Sequence, residues 1–173
     1  MKRIVTGFIL IVLASSLAAA RADEWFKLEP IGGGFSVLMP AKPEEQVKNG
    51  DDLTLHLFIA ETRSAIYFVS YGDYAPSARI DIDAELIANR DSFARSLSAT
   101  LIDSKKITKD GHQGLEFTAQ NDSTFVTSRL YMFGNRIHQI SVAVPSGRRD
   151  NPNVDRFLAS FAFTSPPAKK PSA

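Results

Sequence analysis

Apolar and polar residues alternate along residues 114–121, whose sequence is GLEFTAQN. A period of two predicts a β-strand, because successive side chains of a strand point to opposite faces. The turn residues Asn121-Asp122-Ser123 follow, and Gly134-Asn135 separates two further strand candidates at residues 124–133 and 136–144. Three strands joined by tight turns predict an antiparallel meander.

The first half of the chain contains four more strand candidates. They lie at residues 25–28, 35–39, 53–60 and 65–71. Many of these segments are apolar on both faces, whereas the strands of a sheet with one solvated face alternate more cleanly. We therefore expect a sheet that is covered on both sides.

Two amphipathic segments are candidates for these covers. Residues 82–97 follow Asp81, a suitable N-cap, and carry apolar residues on one helical stripe. Asn151 and Pro152 suit the N-cap and first position of a second helix, in which apolar residues repeat with helical spacing. The apolar residues are Ile82, Leu86, Phe93 and Leu97, then Val154, Phe157, Leu158 and Phe161. The pattern predicts one α+β domain, an antiparallel sheet flanked by helices on both faces as an α/β/α sandwich.

The first 22 residues are typical of a secretory signal peptide. Lys2 and Arg3 precede an uncharged run at residues 4–20, and Ala20-Arg21-Ala22 is a small-x-small cleavage site. Cleavage before Asp23 would give an exported protein, periplasmic or extracellular, without a stable membrane span. The alternative is a membrane anchor, but the run contains polar residues and is marginal for a core about 30 Å thick.

The predicted domain occupies residues 23–163, and residues 164–173 form a Pro/Lys-rich tail that we expect to be disordered. Cleavage removes three basic residues and no acidic one, so the net charge changes from +1 to −2. That charge, without a dense basic cluster, argues against nucleic acid as a partner. The chain has no cysteine, which excludes disulfides and lipid attachment through a thiol.

Gly32, Gly33 and Gly34 raise the question of a phosphate-binding loop. Such a loop needs a helix after the glycines, so that backbone N–H groups point at the anion. Here an alternating segment follows and ends at Pro40, which predicts a strand. The glycines are therefore interpreted as a hairpin turn, in which glycine adopts positive φ at no steric cost.

Other reactive residue types form no recognisable constellation. His56, His112 and His138 lack the spacing of a metal site, and the acids at positions 81, 83 and 85 lack the glycine of a calcium loop. No Gly-x-Ser-x-Gly motif marks a nucleophile. We predict no catalytic residue, no metal and no cofactor, and therefore no enzyme; a hydrolase is a third hypothesis that no motif supports.

Polar residues on otherwise apolar faces form the candidate ligand or ion-pair site. They are Arg90, Glu116, Arg129, Tyr131 and His138. With the meander turns placed as above, Glu116 lies opposite Arg129, and Tyr131 lies opposite His138. Arg90 falls on the apolar stripe of the first helix. An internal ion pair, with Glu116 available to either arginine, is favoured over a pocket that recognises a carboxylate or phosphate.

A series of short motifs runs through the predicted strands and helices. They are Trp25, GFSVLMPAKP at 34–43, YFVSY at 67–71, Arg90-Asp91, GLEF at 114–117, Arg129-Leu130-Tyr131 and RFLASF at 156–161. Together they resemble the PsbP-like family of small exported bacterial proteins, over nearly all of the predicted domain. The resemblance implies a single α/β domain with an antiparallel sheet between helices. It also implies an extrinsic subunit or adaptor without an activity of its own.

The leading hypothesis is an exported, non-enzymatic domain that binds an envelope protein or supports an envelope assembly. Binding would use exposed loops and the proline-bordered residues 40–43. The alternative is a binder of a small anionic or amphipathic ligand, held in a pocket between residues 81–99 and the sheet. Arg90 or Arg129 would anchor that ligand.

Overall fold

The computed structural model describes residues 25–50, 53–148 and 152–164. The strands are β1 (Phe26–Leu28), β2 (Phe35–Met39), β3 (Glu44–Asn49), β4 (Leu53–Glu61), β5 (Ile66–Tyr74), β6 (Thr100–Lys109), β7 (His112–Gln120), β8 (Thr124–Phe133), β9 (Arg136–Pro145) and β10 (Ala162–Phe163). The helices are α1 (Ile82–Ser96) and α2 (Pro152–Ser160). The predicted strands and helices therefore all exist, with ends that shift by at most a few residues.

A seven-stranded antiparallel sheet with the order β3-β4-β5-β9-β8-β7-β6 forms the main body of the fold. The predicted meander is confirmed, because Glu116 pairs with Arg129 and Tyr131 pairs with His138. A second, smaller sheet has the order β1-β2-β10. Its β1–β2 hairpin turns at the three glycines, as the sequence predicts.

Three strands were not expected from the sequence. β3 and β6 are the edges of the main sheet, and nearly all of their residues are exposed or half-exposed. Edge strands bury little apolar surface, so their sequences are polar and charged and do not alternate. β10 has two residues and pairs with β2, from the opposite end of the described chain. Neither strand type produces the pattern on which the prediction depended.

Each face of the main sheet carries its own apolar core. One core joins α1 to the sheet and includes Leu86, Phe93, Leu115, Phe117 and Leu130. The other joins α2 and the smaller sheet to the opposite face and includes Phe35, Val37, Tyr67, Val142 and Phe157. The mostly antiparallel architecture with two helices is confirmed. The predicted layer of helices on both faces is not, because each core contains one short helix and the second also needs a sheet.

The start of α1 follows its sequence signal. The Asp81 side chain accepts a hydrogen bond from the Ala84 backbone N–H at 3.1 Å, which makes Asp81 the N-cap. α2 begins at Pro152, while the predicted N-cap Asn151 lies outside the described residues, as do the predicted signal peptide and residues 165–173. Within the described ranges, no helix is long and apolar enough to cross a membrane.

Gly114 in β7 provides a test of the packing. A Cβ at this position would lie 2.4 Å from the Leu130 carbonyl oxygen and 2.6 Å from the Tyr131 ring. We expect Gly114→Ala to lower the free energy of unfolding by about 2 kcal/mol, because backbone and an aromatic ring must both move. Denaturant unfolding measures this loss.

The matched control is Gly147→Ala, since an added Cβ there meets no atom within 4 Å. Its stability should stay within about 0.5 kcal/mol of the parent protein. Equal stability of the two variants would contradict the packing around Tyr131.

Candidate functional site

Glu116 and Arg129 form an ion pair between neighbouring strands. Arg129 Nε donates to Glu116 Oε2 at 2.6 Å, and Lys105 Nζ from β6 lies 2.7 Å from Glu116 Oε1. Arg129 Nη1 also donates to the Leu158 carbonyl oxygen in α2 at 3.2 Å. The arginine therefore connects the meander to the helix that covers it.

Two cations hold the Glu116 carboxylate in its charged form. Partial burial raises the pKa of Glu116, but hydrogen bonds from Lys105 and Arg129 and their positive charges outweigh burial. The net pKa of this carboxyl lies below its ordinary value. A negative ligand would compete with Glu116 for both cations.

Arg90 lies on the opposite face of the sheet. Its Nε donates to Asp91 Oδ1 at 2.8 Å, and its Nη1 donates to Ser104 Oγ in β6 at 2.9 Å. The expectation that Glu116 could serve either arginine is therefore wrong for Arg90. Because Arg129 reaches α2, it also cannot anchor a ligand between α1 and the sheet, which leaves Arg90 alone for that hypothesis.

His138 and Tyr131 belong to one row of cross-strand neighbours. Their row runs His56, Tyr71, His138, Tyr131, Gly114 from β4 to β7. The His56 ring stacks on Tyr71 with centroids 4.5 Å apart, and His56 Nδ1 lies 3.3 Å from Glu45 Oε1. His56 and His138 thus lie among aromatic side chains. The His112 ring contacts Phe133 and Phe163. No cluster of three or more potential metal ligands occurs in the described part of the chain.

The turn at Gly32, Gly33 and Gly34 is held through its carbonyl groups by the main sheet and by the residue after β10. Arg136 Nη1 donates to the Gly32 oxygen, and His138 Nε2 lies 3.2 Å from the Gly33 oxygen. The Thr164 backbone N–H donates to the Gly34 oxygen at 2.9 Å. We call these three hydrogen bonds the glycine clasp.

Local backbone conformation or packing requires glycine at each of the three positions of the turn. Gly32 and Gly34 have φ of +78° and +72°, the left-handed region that glycine adopts freely. Gly33 has no room for a side chain, because a Cβ would lie 2.6 Å from the Pro30 ring. The expectation of a hairpin turn is confirmed, and the segment after the glycines is a strand rather than a helix.

Arg136 is the central cation of this end of the domain. It makes two hydrogen bonds to Asp73, Nε to Oδ1 at 2.6 Å and Nη2 to Oδ2 at 2.7 Å. Its guanidinium also lies 4.7 Å from the centre of the Tyr71 ring. Three separate interactions therefore fix the side chain that holds the Gly32 carbonyl.

Arg136 and Asp73 were not among the residues predicted from the sequence. The predicted strand ends at Tyr71, whereas β5 continues to Tyr74. Its Asp73 pairs with Arg136 of β9. β5 is buried on both faces, so its sequence does not alternate and does not mark the extra length. The partner is also not evident from the sequence, because β5 and β9 are far apart along the chain.

The turn also presents an apolar side chain to solvent. Ile31 is 99% exposed, while the residues after it form the glycine clasp. The neighbouring β8–β9 turn carries Phe133, which is 44% exposed and pairs with Arg136. Arg136 touches both turns, so the two apolar residues lie at the same end of the domain.

Comparison with known proteins agrees with this architecture. No family model and no curated protein matches the chain. The solution structure of cyanobacterial PsbP (CyanoP) from Synechocystis sp. PCC 6803 superposes with a TM-score of 0.60. It covers 87% of this chain and 98% of that chain, at 12% sequence identity. The fold is PsbP-like.

A second solved structure is more distant. A crystal structure from Bacteroides thetaiotaomicron VPI-5482 is 17% identical, with a TM-score of 0.36. It covers 80% of this chain and 48% of that chain. The likeness to CyanoP concerns the fold alone.

The Glu116–Arg129 pair of this PsbP-like domain can be tested by a double-mutant cycle. Arg129→Met should lower the free energy of unfolding by about 2 kcal/mol, because it leaves a partly buried carboxylate with one exposed lysine. Replacing both residues, as Glu116→Leu with Arg129→Met, should cost less than the single change. Denaturant unfolding of the four proteins gives the coupling energy.

Arg79→Met is the matched control, because Arg79 is an exposed arginine outside this cluster. It should leave stability nearly unchanged. Additive effects of the two substitutions would show that Glu116 and Arg129 do not interact.

Proposed function

We propose that this chain is an exported, non-enzymatic accessory protein that binds a partner protein through the end carrying the glycine clasp. The observation that carries the proposal is Ile31, which is 99% exposed on a fixed turn. The charged residues described at this end, Arg136 and Asp73, are paired with each other. Such a surface suits recognition better than chemistry.

A rigid turn makes an exposed aliphatic side chain effective in binding. The Gly33 backbone N–H donates to the Pro30 oxygen at 3.0 Å, so Ile31 lies inside a closed turn whose following carbonyls are also bound. Because the backbone is already ordered, association costs less conformational entropy there than at a flexible loop. Inserting Ile31 into an apolar pocket of the partner would gain its full burial energy.

The surroundings of Ile31 suit a protein surface with an apolar centre and a polar rim. Phe133 adds a second exposed apolar side chain, and the Arg136–Asp73 pair beside it has no net charge. Interfaces of this kind deplete charge at the centre and keep it at the rim. The proline-bordered residues 40–43 follow the far end of β2, so they would belong to a different contact.

Two further points support an accessory role in the cell envelope. The first 22 residues have the composition of a signal peptide, which supports export. The PsbP-like fold, together with the motif resemblance, supports an adaptor or extrinsic subunit. Both points concern the class of protein.

The small-ligand alternative gains no support from the interface between α1 and the sheet. Phe93 on the inner face of α1 packs against Phe68 and Phe117, with ring centroids 5.6 Å and 6.0 Å apart. The Arg90 guanidinium already binds Asp91 and Ser104. A ligand there would have to displace packed rings and break these bonds.

The proposal is tested by capture of partners from an envelope extract with the purified protein as bait. Ile31→Asp should reduce capture of the specific partner about 30-fold, which corresponds to about 2 kcal/mol for an anchor residue. Its stability should not change, because Ile31 is fully exposed. Quantitative mass spectrometry of the eluate measures the loss.

Ile102→Asp is the matched control, since Ile102 is a 56% exposed isoleucine on the β6 edge. It should capture the same partner as the parent protein. Identical capture by the Ile31 variant, or an enzymatic turnover found in a substrate screen, would contradict the proposal.

A further inference from the structure

His138 is a fully buried histidine with one unsatisfied ring nitrogen. Its side chain is 0% exposed, its Nε2 lies 3.2 Å from the Gly33 oxygen, and its Nδ1 has no hydrogen-bond partner. A carbonyl oxygen can only accept, so this contact assigns the proton of the neutral ring to Nε2. Nδ1 is therefore a bare acceptor, and a second proton would become a buried N–H without an acceptor.

The residues around His138 belong mostly to the layer that covers the sheet. Phe35 of β2, Phe161 and Phe163 of β10 lie with ring centroids 5.7 Å, 6.0 Å and 5.3 Å from the imidazole. These phenyl rings offer no oxygen or nitrogen that could accept a hydrogen bond from a second ring N–H. Protonation of His138 in place would therefore cost far more than protonation of a histidine in water.

The ionisable neighbours do not compensate that cost. The groups near His138 are Arg136, Asp73, His112, Tyr71 and Tyr131. Arg136 repels an added proton, and Asp73, which would attract it, is bound to Arg136 through both carboxylate oxygens. The neutral ring is the form that fits the closed structure.

We propose that protonation of His138 opens the glycine clasp, so that β2 and β10 separate from the main sheet while the sheet itself stays folded. Protonation replaces the neutral donor to the Gly33 carbonyl by a cation that needs water at Nδ1. Solvent reaches Nδ1 only if the covering layer moves away. Low pH therefore opens one layer of the fold and leaves the other folded. This inference does not depend on partner binding at Ile31.

The direction of the pH dependence follows from burial. Burial lowers the pKa of His138 from 6.5 to about 4, and the hydrogen bond to Gly33 and the charge of Asp73 only partly oppose this. In the open form the ring regains its ordinary pKa, so acid favours opening. The closed state has its full advantage above pH 6.5 and loses it progressively down to about pH 4. The open fraction should rise about 25-fold between about pH 7.5 and about pH 5.

Hydrogen exchange of the purified protein tests the proposal. The reporter amides are Gly33, Leu38 and Thr164, which donate to Pro30, Ser160 and Gly34 within the covering layer. Strands of two to five residues are not stable away from the main sheet, so these bonds are lost when the layer separates. After correction for the intrinsic pH dependence of exchange, their protection should fall by about 25-fold over that pH range. Amides between β7 and β8 should keep their protection, because they lie in the main sheet.

Two variants separate His138 from other acid effects. His138→Gln keeps an amide donor for the Gly33 carbonyl but cannot titrate, so the acid response should disappear. His56→Gln removes a histidine of the same row that is half-exposed and already paired with Glu45, and it should leave the response intact. An acid response in His138→Gln equal to that of the parent protein, or none in the parent, overturns the proposal.

A direct measurement covers the case in which His138→Gln does not fold. Nitrogen NMR of the imidazole in the parent protein should show the Nε2–H tautomer as the folded species at about pH 5. A proton on Nδ1 at neutral pH, or titration of the folded ring at the ordinary value, would overturn the proposal equally.

Discussion

The carbonyl groups of Gly32, Gly33 and Gly34 need hydrogen-bond donors, and the rest of the domain supplies one to each. Two donors come from β9 of the main sheet, and the third comes from the residue after β10. A glycine-rich turn would otherwise be the most mobile part of the hairpin, because glycine loses more conformational entropy on ordering than any other residue. The position of β1 and β2 over the sheet thus depends on side chains that lie about a hundred residues later in the chain.

Two arginines on the same sheet face use the same arrangement. Arg129 binds Glu116 and the Leu158 carbonyl of α2, while Arg136 binds Asp73 and the Gly32 carbonyl. In each case a carboxylate of the sheet orients the guanidinium, and the guanidinium holds a backbone oxygen of the cover. The planar, five-donor guanidinium is suited to this double task, which a lysine could not perform with the same geometry. These two arginines and their carboxylates are therefore explained by attachment of the cover.

The sequence predicts the parts of this fold whose signals are local. The register of Glu116 with Arg129 follows from alternation plus one turn, and the start of α1 follows from Asp81. The joining of β5 to β9, and so the Asp73–Arg136 pair, has no such signal, because a long connection separates the strands. The sequence predicts a candidate site of five residues. Four of them lie on one face of the sheet, whereas Arg90 lies on the other. The side of the sheet on which a helix packs depends on the crossover, which side-chain periodicity does not encode.

The pairing of β10 with β2 has a consequence for how the molecule is made. Ser36 pairs with Ala162, so almost all of the described chain separates the two partners. A nascent chain that emerges from its amino-terminal end can form the β1–β2 hairpin early, but the hairpin has no neighbour on its other edge until β10 appears. β10 therefore completes the cover, and a polypeptide arrested before it would leave an aromatic surface open to other chains. The arrival of β10, rather than of any single hydrophobic segment, closes this fold.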